Sequence, residues 1–502
     1  PAYYLIQTRS ILETGSLAYG DTPLVFYIMA VVSWLVKAVF RLSTDSAVIV
    51  GVKLVASLVP ALAAVPAYLL VKSFQKGEGS VLSMLPVIAA AVAATLSSGP
   101  IQLTADFMKN ALGMVFLLFM AYYALRAIKD KSKESVFLAF VFLALCGASH
   151  VGAFSLALLF AGLLLVGWFI FVEGLNKRAL KVIGAVSVSL AAVFGLLVAA
   201  GVSKITMIFD SIKSAFSYSA FMNVTRGFVP RGMGGTGEVS SLFLLLTMGL
   251  VVILLIKGKD MEKWELAAAF AACLATLFCL YTPAFVTFSN RFQNMAFGPG
   301  LVVWALLLRN LELKPGAAVA ALVLVLMLWE LPSSLRFMQK VTISQGVYEE
   351  LSSLKNSIEE PANTLVVARH GLEYWAGWVL HVDAAQTMSA NADKNGYSTV
   401  LYVQEKSSAM GRFQGDVGGA VNPSYGAPSR GSVQAYGFVP DNFQRTPPMQ
   451  GPGNSANNAP PAPGLGGQMG GELGGPQQLD LGSATLMYDG SYISVYEIDQ
   501  AH

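Results

Sequence analysis

Charge is what this sequence has least of: 13% of its 502 residues are Asp, Glu, Lys or Arg, about half the share in an average soluble protein. That scarcity excludes a soluble enzyme, a disordered chain and a nucleic-acid binder. Cysteine is equally sparse. Cys146, Cys273 and Cys279 all fall inside apolar runs, so they read as small packing residues and no disulfide framework is implied. There is no internal repeat and no phosphate-loop or dinucleotide fingerprint. What remains is apolar: 55% of the residues are hydrophobic and the mean hydropathy is +0.58, the signature of a polytopic α-helical membrane protein.

A helix needs about 20 largely apolar residues to cross the hydrocarbon layer. Runs of that kind predict spans near 47–71, 81–98, 108–125, 136–149, 151–172, 182–203, 240–256, 264–281, 295–308 and 315–331, about ten helices within residues 47–331. The net charge of +3 says little until the charges are placed. Lys72 and Lys76, Arg126 to Lys133, Lys177 to Lys181, Lys257 to Lys263, and Arg309 with Lys314 occupy alternate loops, which marks those loops as cytoplasmic. The intervening segments 99–106, the turn at His150, 204–239 and 282–294 then face outward, with everything after Leu331. Residues 1–46 read as an external loop with juxtamembrane helices, and the run Pro23 to Phe40 as an interfacial helix.

Beyond Leu331 the composition is that of a water-soluble region. Residues 332–445 and 479–502 predict a small extracytoplasmic α/β domain: a helix over 344–360, strands at Thr364–Ala368 and Thr399–Val403, and a hairpin over Ala484–Ile498 turning at Asp489-Gly490. Between its last two pieces, 446–478 holds nine Gly and seven Pro with Glu472 as its one charge, a composition that cannot bury enough apolar surface to fold.

Ionisable groups at membrane level are expensive and therefore functional candidates. The spacing of Asp106, Lys109 and Asn110 places them on one face of a helix starting there, with Thr104 or Asp106 as its cap in the plainer reading. His150 stands at an outward turn, either as a structural residue or as a partner for a phosphate. Arg291 stands at the mouth of a span, either as an interfacial anchor or as a fork for a lipid phosphate. Arg226 and Arg231 lie in a Gly-rich outer segment suited to a flexible connection or a substrate gate.

The N-terminal segment runs through Leu12-Glu13-Thr-Gly and Asp21-Thr-Pro-Leu-Val-Phe-Tyr27. An aromatic-rich helix followed by these motifs resembles the first external loop of the GT-C superfamily of membrane glycosyltransferases, which includes protein O-mannosyltransferases, aminoarabinose transferases and oligosaccharyltransferases. Asp106-Phe-Met-Lys109-Asn110 resembles that group's second acidic motif. The resemblance covers residues 1–330 in architecture, and its motifs are short.

It implies an inverting enzyme that takes a sugar from a polyprenyl-phosphate donor at the extracytoplasmic face of the cell membrane and passes it to a lipid, glycan or protein acceptor. Asp106 would be the catalytic carboxylate, with Glu13 and Asp21 as alternative acids. Lys109, His150, Arg291, Arg226 and Arg231 would bind substrate, and Mg or Mn is the cofactor such carboxylates would hold. In that superfamily the first loop follows a membrane span whose end commonly bears the catalytic carboxylate. This sequence starts at Pro1, and the expectation is that a further span precedes it. A transporter or flippase for a lipid-linked glycan, and a non-catalytic membrane scaffold, are the competing readings.

Overall fold

The computed structural model describes residues 2–75, 81–174, 181, 184, 237–280, 289–338, 342–386, 396–406 and 484–498. The expected span at 182–203, the Arg226 and Arg231 segment and the Gly/Pro-rich stretch 446–478 lie outside the described residues. The chain forms two units, residues 22–340 and residues 1–21 with 341–502.

The first unit is helical: α2 (Leu24–Phe40), α3 (Thr44–Leu62), α4 (Ala64–Phe74), α5 (Val81–Leu96), α6 (Ser98–Asp106), α7 (Met108–Asp130), α8 (Lys133–Ser149), α9 (Val151–Trp168, extended by a π turn over Phe169–Glu173), α10 (Gly237–Lys257), α11 (Lys263–Leu280), α12 (Ser289–Met295), α13 (Phe297–Asn310) and α14 (Leu313–Met338). Among the described residues, six helices are long and apolar enough to cross a membrane: Thr44–Phe74, Leu82–Ala105, Met108–Asp130, Val151–Glu173, Lys263–Leu280 and Leu313–Pro332. Their outward sides stay apolar. Trp329 on α14 and Leu255 on α10 are each 82% exposed, which is tolerable only against lipid.

Small residues set the helix spacing inside the bundle. A Cβ on Gly167 would meet the backbone of Ala267 at about 3 Å, because α9 lies against an α11 face built from Ala267, Ala268, Ala271, Ala272 and Ala275. Membrane helices lack a hydrophobic drive toward one another, and close van der Waals approach replaces it.

One device at the Arg309 end was not visible in the sequence, where its members read as loop charges. Arg309 pairs with Glu265 and, at 2.6 Å, with Glu262. It also donates to the Phe74 carbonyl and lies over the Trp264 ring. Trp264 Nε1 in turn donates to Glu262. One guanidinium thus joins α4, α11 and α13. Lys129 adds a bond to the Ser73 carbonyl and Lys257 one to the Asn310 carbonyl, so charges from three of the basic loops, and carbonyls from a fourth, are joined at this end of the bundle.

The run over 23–40 is helical, as expected. It is α2, and it pairs lengthwise with α3 through a turn in which Arg41 takes a left-handed conformation, φ 54°. Ser33 and Gly51 meet at the centre of that pair, each eight residues from Ser43 or Arg41, and a Cβ on Gly51 would lie 2.7 Å from the Ser33 Cα.

The second unit is a five-stranded sheet in the order β2-β1-β3-β5-β4, with β1 Thr364–Ala368, β2 Asp383–Gln386, β3 Thr399–Glu405, β4 Ala484–Asp489 and β5 Ile493–Ile498. β1 pairs in parallel with β2 and β3, while β5 pairs antiparallel with β3 and β4. β1 is buried along its whole length, as a central parallel strand must be. Leu365, Val367, Ala385, Val400 and Ile498 form the core on one face. Helix α16 (Leu372–Leu380) is the crossover between β1 and β2, and α15 (Gln345–Leu354) packs on it. The Glu350 carboxylate on α15 accepts the backbone N–H groups of Ser491, Tyr492 and Ile493, which fixes the β4–β5 turn.

The N-terminal helix α1 (Ala2–Thr14) belongs to this unit, whereas the sequence joined it to residues 15–46. Arg9 explains the docking. It is 8% exposed, lies over the Trp378 ring at 4.6 Å, and donates to the carbonyls of Trp378 at 3.1 Å and Gly377 at 3.4 Å. Those carbonyls are in the last turn of α16, where helix geometry leaves acceptors without intrahelical partners and a cation is favoured.

Candidate functional site

Among the described residues, Lys109 and Arg291 both lie near Phe107, at the end of α7 opposite the Lys129 contact. The spacing of Asp106, Lys109 and Asn110 predicts one helix face, but the helix is interrupted between them. Phe107 has φ −137° and ψ 56°, so Asp106 is the last residue of α6 and Lys109 and Asn110 belong to the first turn of α7.

Thr104 is not the cap expected of it. Thr104 Oγ1 donates back to the Pro100 carbonyl at 2.8 Å within α6, and the N-cap of α7 is Phe107, which makes no side-chain capping bond. The Asp106 side chain lies outside the described residues.

Arg291, in the short helix α12, sits over the Phe107 ring with Cζ 4.2 Å from its centroid. Two residues past Phe107, Lys109 Nζ lies 5.8 Å from the centre of the Phe26 ring on α2. Both contacts leave a cation next to an aromatic face. Arg291 is held here because α12 packs on α6: a Cβ on Gly99 would meet the Asn294 carbonyl, so only glycine lets the two backbones approach this closely.

His150 is buried, with 6% exposure, and occupies the corner between α8 and α9. Its Nδ1 accepts the Gly152 N–H at 2.9 Å, capping α9. The neutral ring therefore carries its proton on Nε2. The corner is held from α2's side, where Thr22 donates to the Ser149 carbonyl at 2.8 Å. It is held from α7's side by Gly113, whose missing Cβ leaves room for Ala153, Ser149 and His150. His150 thus has a structural role at this corner as the cap of α9.

Glu13 and Asp21 are in the other unit. Glu13 is exposed in the last turn of α1. Asp21 accepts the Tyr3 hydroxyl at 2.7 Å, Gln7 donates to Tyr3 Oη at 3.0 Å, and Gln7 also bonds both the carbonyl and the N–H of Tyr19. The rings of Tyr3, Tyr19 and Tyr374 pack together there. Burial pushes all three hydroxyls above the ordinary tyrosine range, reinforced by the charge of Asp21 for Tyr3, of Asp383 and Glu373 for Tyr19, and of Glu373 for Tyr374.

Among the described residues no three His, Cys, Asp or Glu side chains come together as a metal-holding group, and no step below is routed through a metal.

No protein-family model matches the sequence, and no curated protein does. Among solved structures, ArnT from Cupriavidus metallidurans, crystallised with undecaprenyl phosphate, is similar to this chain. The likeness covers 82% of this chain and 90% of that one, at 10% identity and a TM-score of 0.32.

Proposed function

We propose that the chain is a membrane glycosyltransferase that moves a sugar from a polyprenyl-phosphate donor to an acceptor on the extracytoplasmic face. The observations that support this reading are that Arg291 lies over Phe107 at the α6–α7 break, that Lys109 follows it in the first turn of α7, and that the His150 corner packs on α7 at Gly113, at the bundle end away from the basic loops. Asp106 ends α6 at that break, within the motif that resembles the superfamily's second acidic motif.

The chemistry asked of such a site is a single displacement. The acceptor oxygen attacks the anomeric carbon, the carbon–oxygen bond to the phosphate breaks, and the polyprenyl phosphate leaves with an added negative charge. Asp106 takes the acceptor's proton. Lys109 and Arg291 stabilise the departing phosphate, Arg291 by its planar fork and Lys109 as a point charge. His150, its ring held through Nδ1 by the Gly152 N–H, is the third group assigned to the phosphate side.

Asp106→Asn tests the assignment. Sugar transfer from a polyprenyl-phosphate donor, assayed in membranes containing the inserted variant, is expected to fall by a factor of about 100 or more. Undiminished transfer would remove Asp106 from the reaction. If the purified chain instead moves a lipid-linked glycan across a vesicle membrane without forming a glycosidic bond, the transporter reading replaces this one.

A further inference from the structure

Asn110 lies in the first turn of α7 with 1% of its surface exposed, and neither its carboxamide oxygen nor its nitrogen hydrogen-bonds any described residue. Buried polar groups are almost always paired, and an apolar side chain of similar volume would fill the place without the cost of two unmade bonds. The surroundings of Asn110 follow from helical spacing. Gly113, three residues on, faces Ala153 and the Ser149–His150 corner, and Met114, four residues on, faces Gly298 of α13. Asn110 therefore belongs to the stripe of α7 that lies between α9 and α13. It is about 4.5 Å along the axis from the Phe107 break. Lys109, one residue back, faces α2 instead, so the cation and the amide address different walls.

The chemistry of the amide narrows what it would meet. A carboxamide presents a donor and an acceptor side by side. A hydroxyl matches both, because it accepts and donates, whereas an ionised phosphodiester only accepts and would leave the Asn110 oxygen unmet. We propose that Asn110 reads a hydroxyl of the sugar being transferred, a specificity-determining contact separate from the phosphate contacts of Lys109 and Arg291. This rests on the transferase reading above.

The test uses the purified full chain and two probes, bare polyprenyl phosphate and the same lipid carrying a neutral hexose, with affinity read from thermal-shift titrations. Wild type is expected to bind the hexosyl lipid more tightly. Asn110→Leu is expected to keep its affinity for bare polyprenyl phosphate, which also shows that it is folded, and to lose about tenfold for the hexosyl lipid. Asn110→Asp, nearly isosteric and without the donor, gives a second reading if the Leu variant does not insert. A wild-type chain that binds both lipids alike, or an Asn110→Leu chain that keeps the preference, overturns the role of Asn110 and leaves the transferase reading standing. A wild-type chain that binds neither lipid overturns the transferase reading itself.

Discussion

A single residue, Phe107, decides the local geometry of the proposed site. An uninterrupted helix through Asp106, Lys109 and Asn110 would stack their side chains along one face. The break instead lets α6 end on the acid while α7 begins with the cation, and its aromatic ring becomes the surface on which Arg291 rests. Arg291→Lys keeps the charge but gives up the planar stack and the fork, so it is expected to weaken polyprenyl-phosphate affinity by about tenfold, measured by titration in detergent. An affinity equal to wild type would make Arg291 an interfacial anchor only.

At this scale the sequence was partly legible. The polar residues between apolar runs stand out against a background poor in charge, which is why Lys109, His150 and Arg291 could be selected. The break was not legible, since nothing in Ala-Asp-Phe-Met resembles the Gly or Pro that normally interrupts a helix.

At the scale of elements, the spans and strands followed from hydropathy and alternation because burial dictates both. β2 escaped notice: Asp-Ala-Ala-Gln has no β-branched or aromatic residue, and it is a strand because β1 offers it a parallel edge. The Arg309 network escaped for a different reason, as pairing between loops far apart in sequence leaves no periodic trace.

Its energetics make a prediction. Arg309 and Glu265 have side chains 11% and 3% exposed, and removing one partner of a buried pair strands the other's charge. Arg309→Met should cost about 3–5 kcal/mol in unfolding stability. The double variant with Glu265→Gln should recover a large part of that loss, and losses of the two single variants that simply add in the double variant would show that the pair is not coupled. In the α2–α3 hairpin, Gly51→Val would drive side-chain atoms into the backbone at Ser33. Overpacking of this kind costs about 1–3 kcal/mol, which a lowered melting temperature with retained expression would register.

For the molecule as a whole, the two units call for separate tests. The tyrosine cluster gives the sheet unit a defined response to alkali. Because folding raises these pKa values, the stabilisation is complete below the ordinary tyrosine value and is lost as pH rises above it. Phenolate absorbance should therefore appear together with loss of near-ultraviolet dichroism, above the pH at which free tyrosine ionises. Phenolate forming at the ordinary value with the fold intact would contradict this.

Orientation can be read from added thiols, since Cys146, Cys273 and Cys279 are all buried and should give little background. Lys131→Cys is expected to react with an impermeant reagent only from the cytoplasm, and Glu13→Cys only from outside. Labelling of both from one side would defeat the assignment of the faces.

The sharing of one sheet unit by residues 1–21 and 341–502 also sets an order of events during synthesis. Helix α1 emerges roughly 370 residues ahead of α16, the element that Arg9 caps, an interval of about 18–74 s at ordinary rates of translation. Throughout that time its apolar residues Tyr4, Leu5 and Ile6, buried in the finished protein, have no partner surface. The nascent segment must be sheltered by the bilayer surface or by a chaperone, and the sheet unit can close only after the whole helical bundle has been threaded into the membrane.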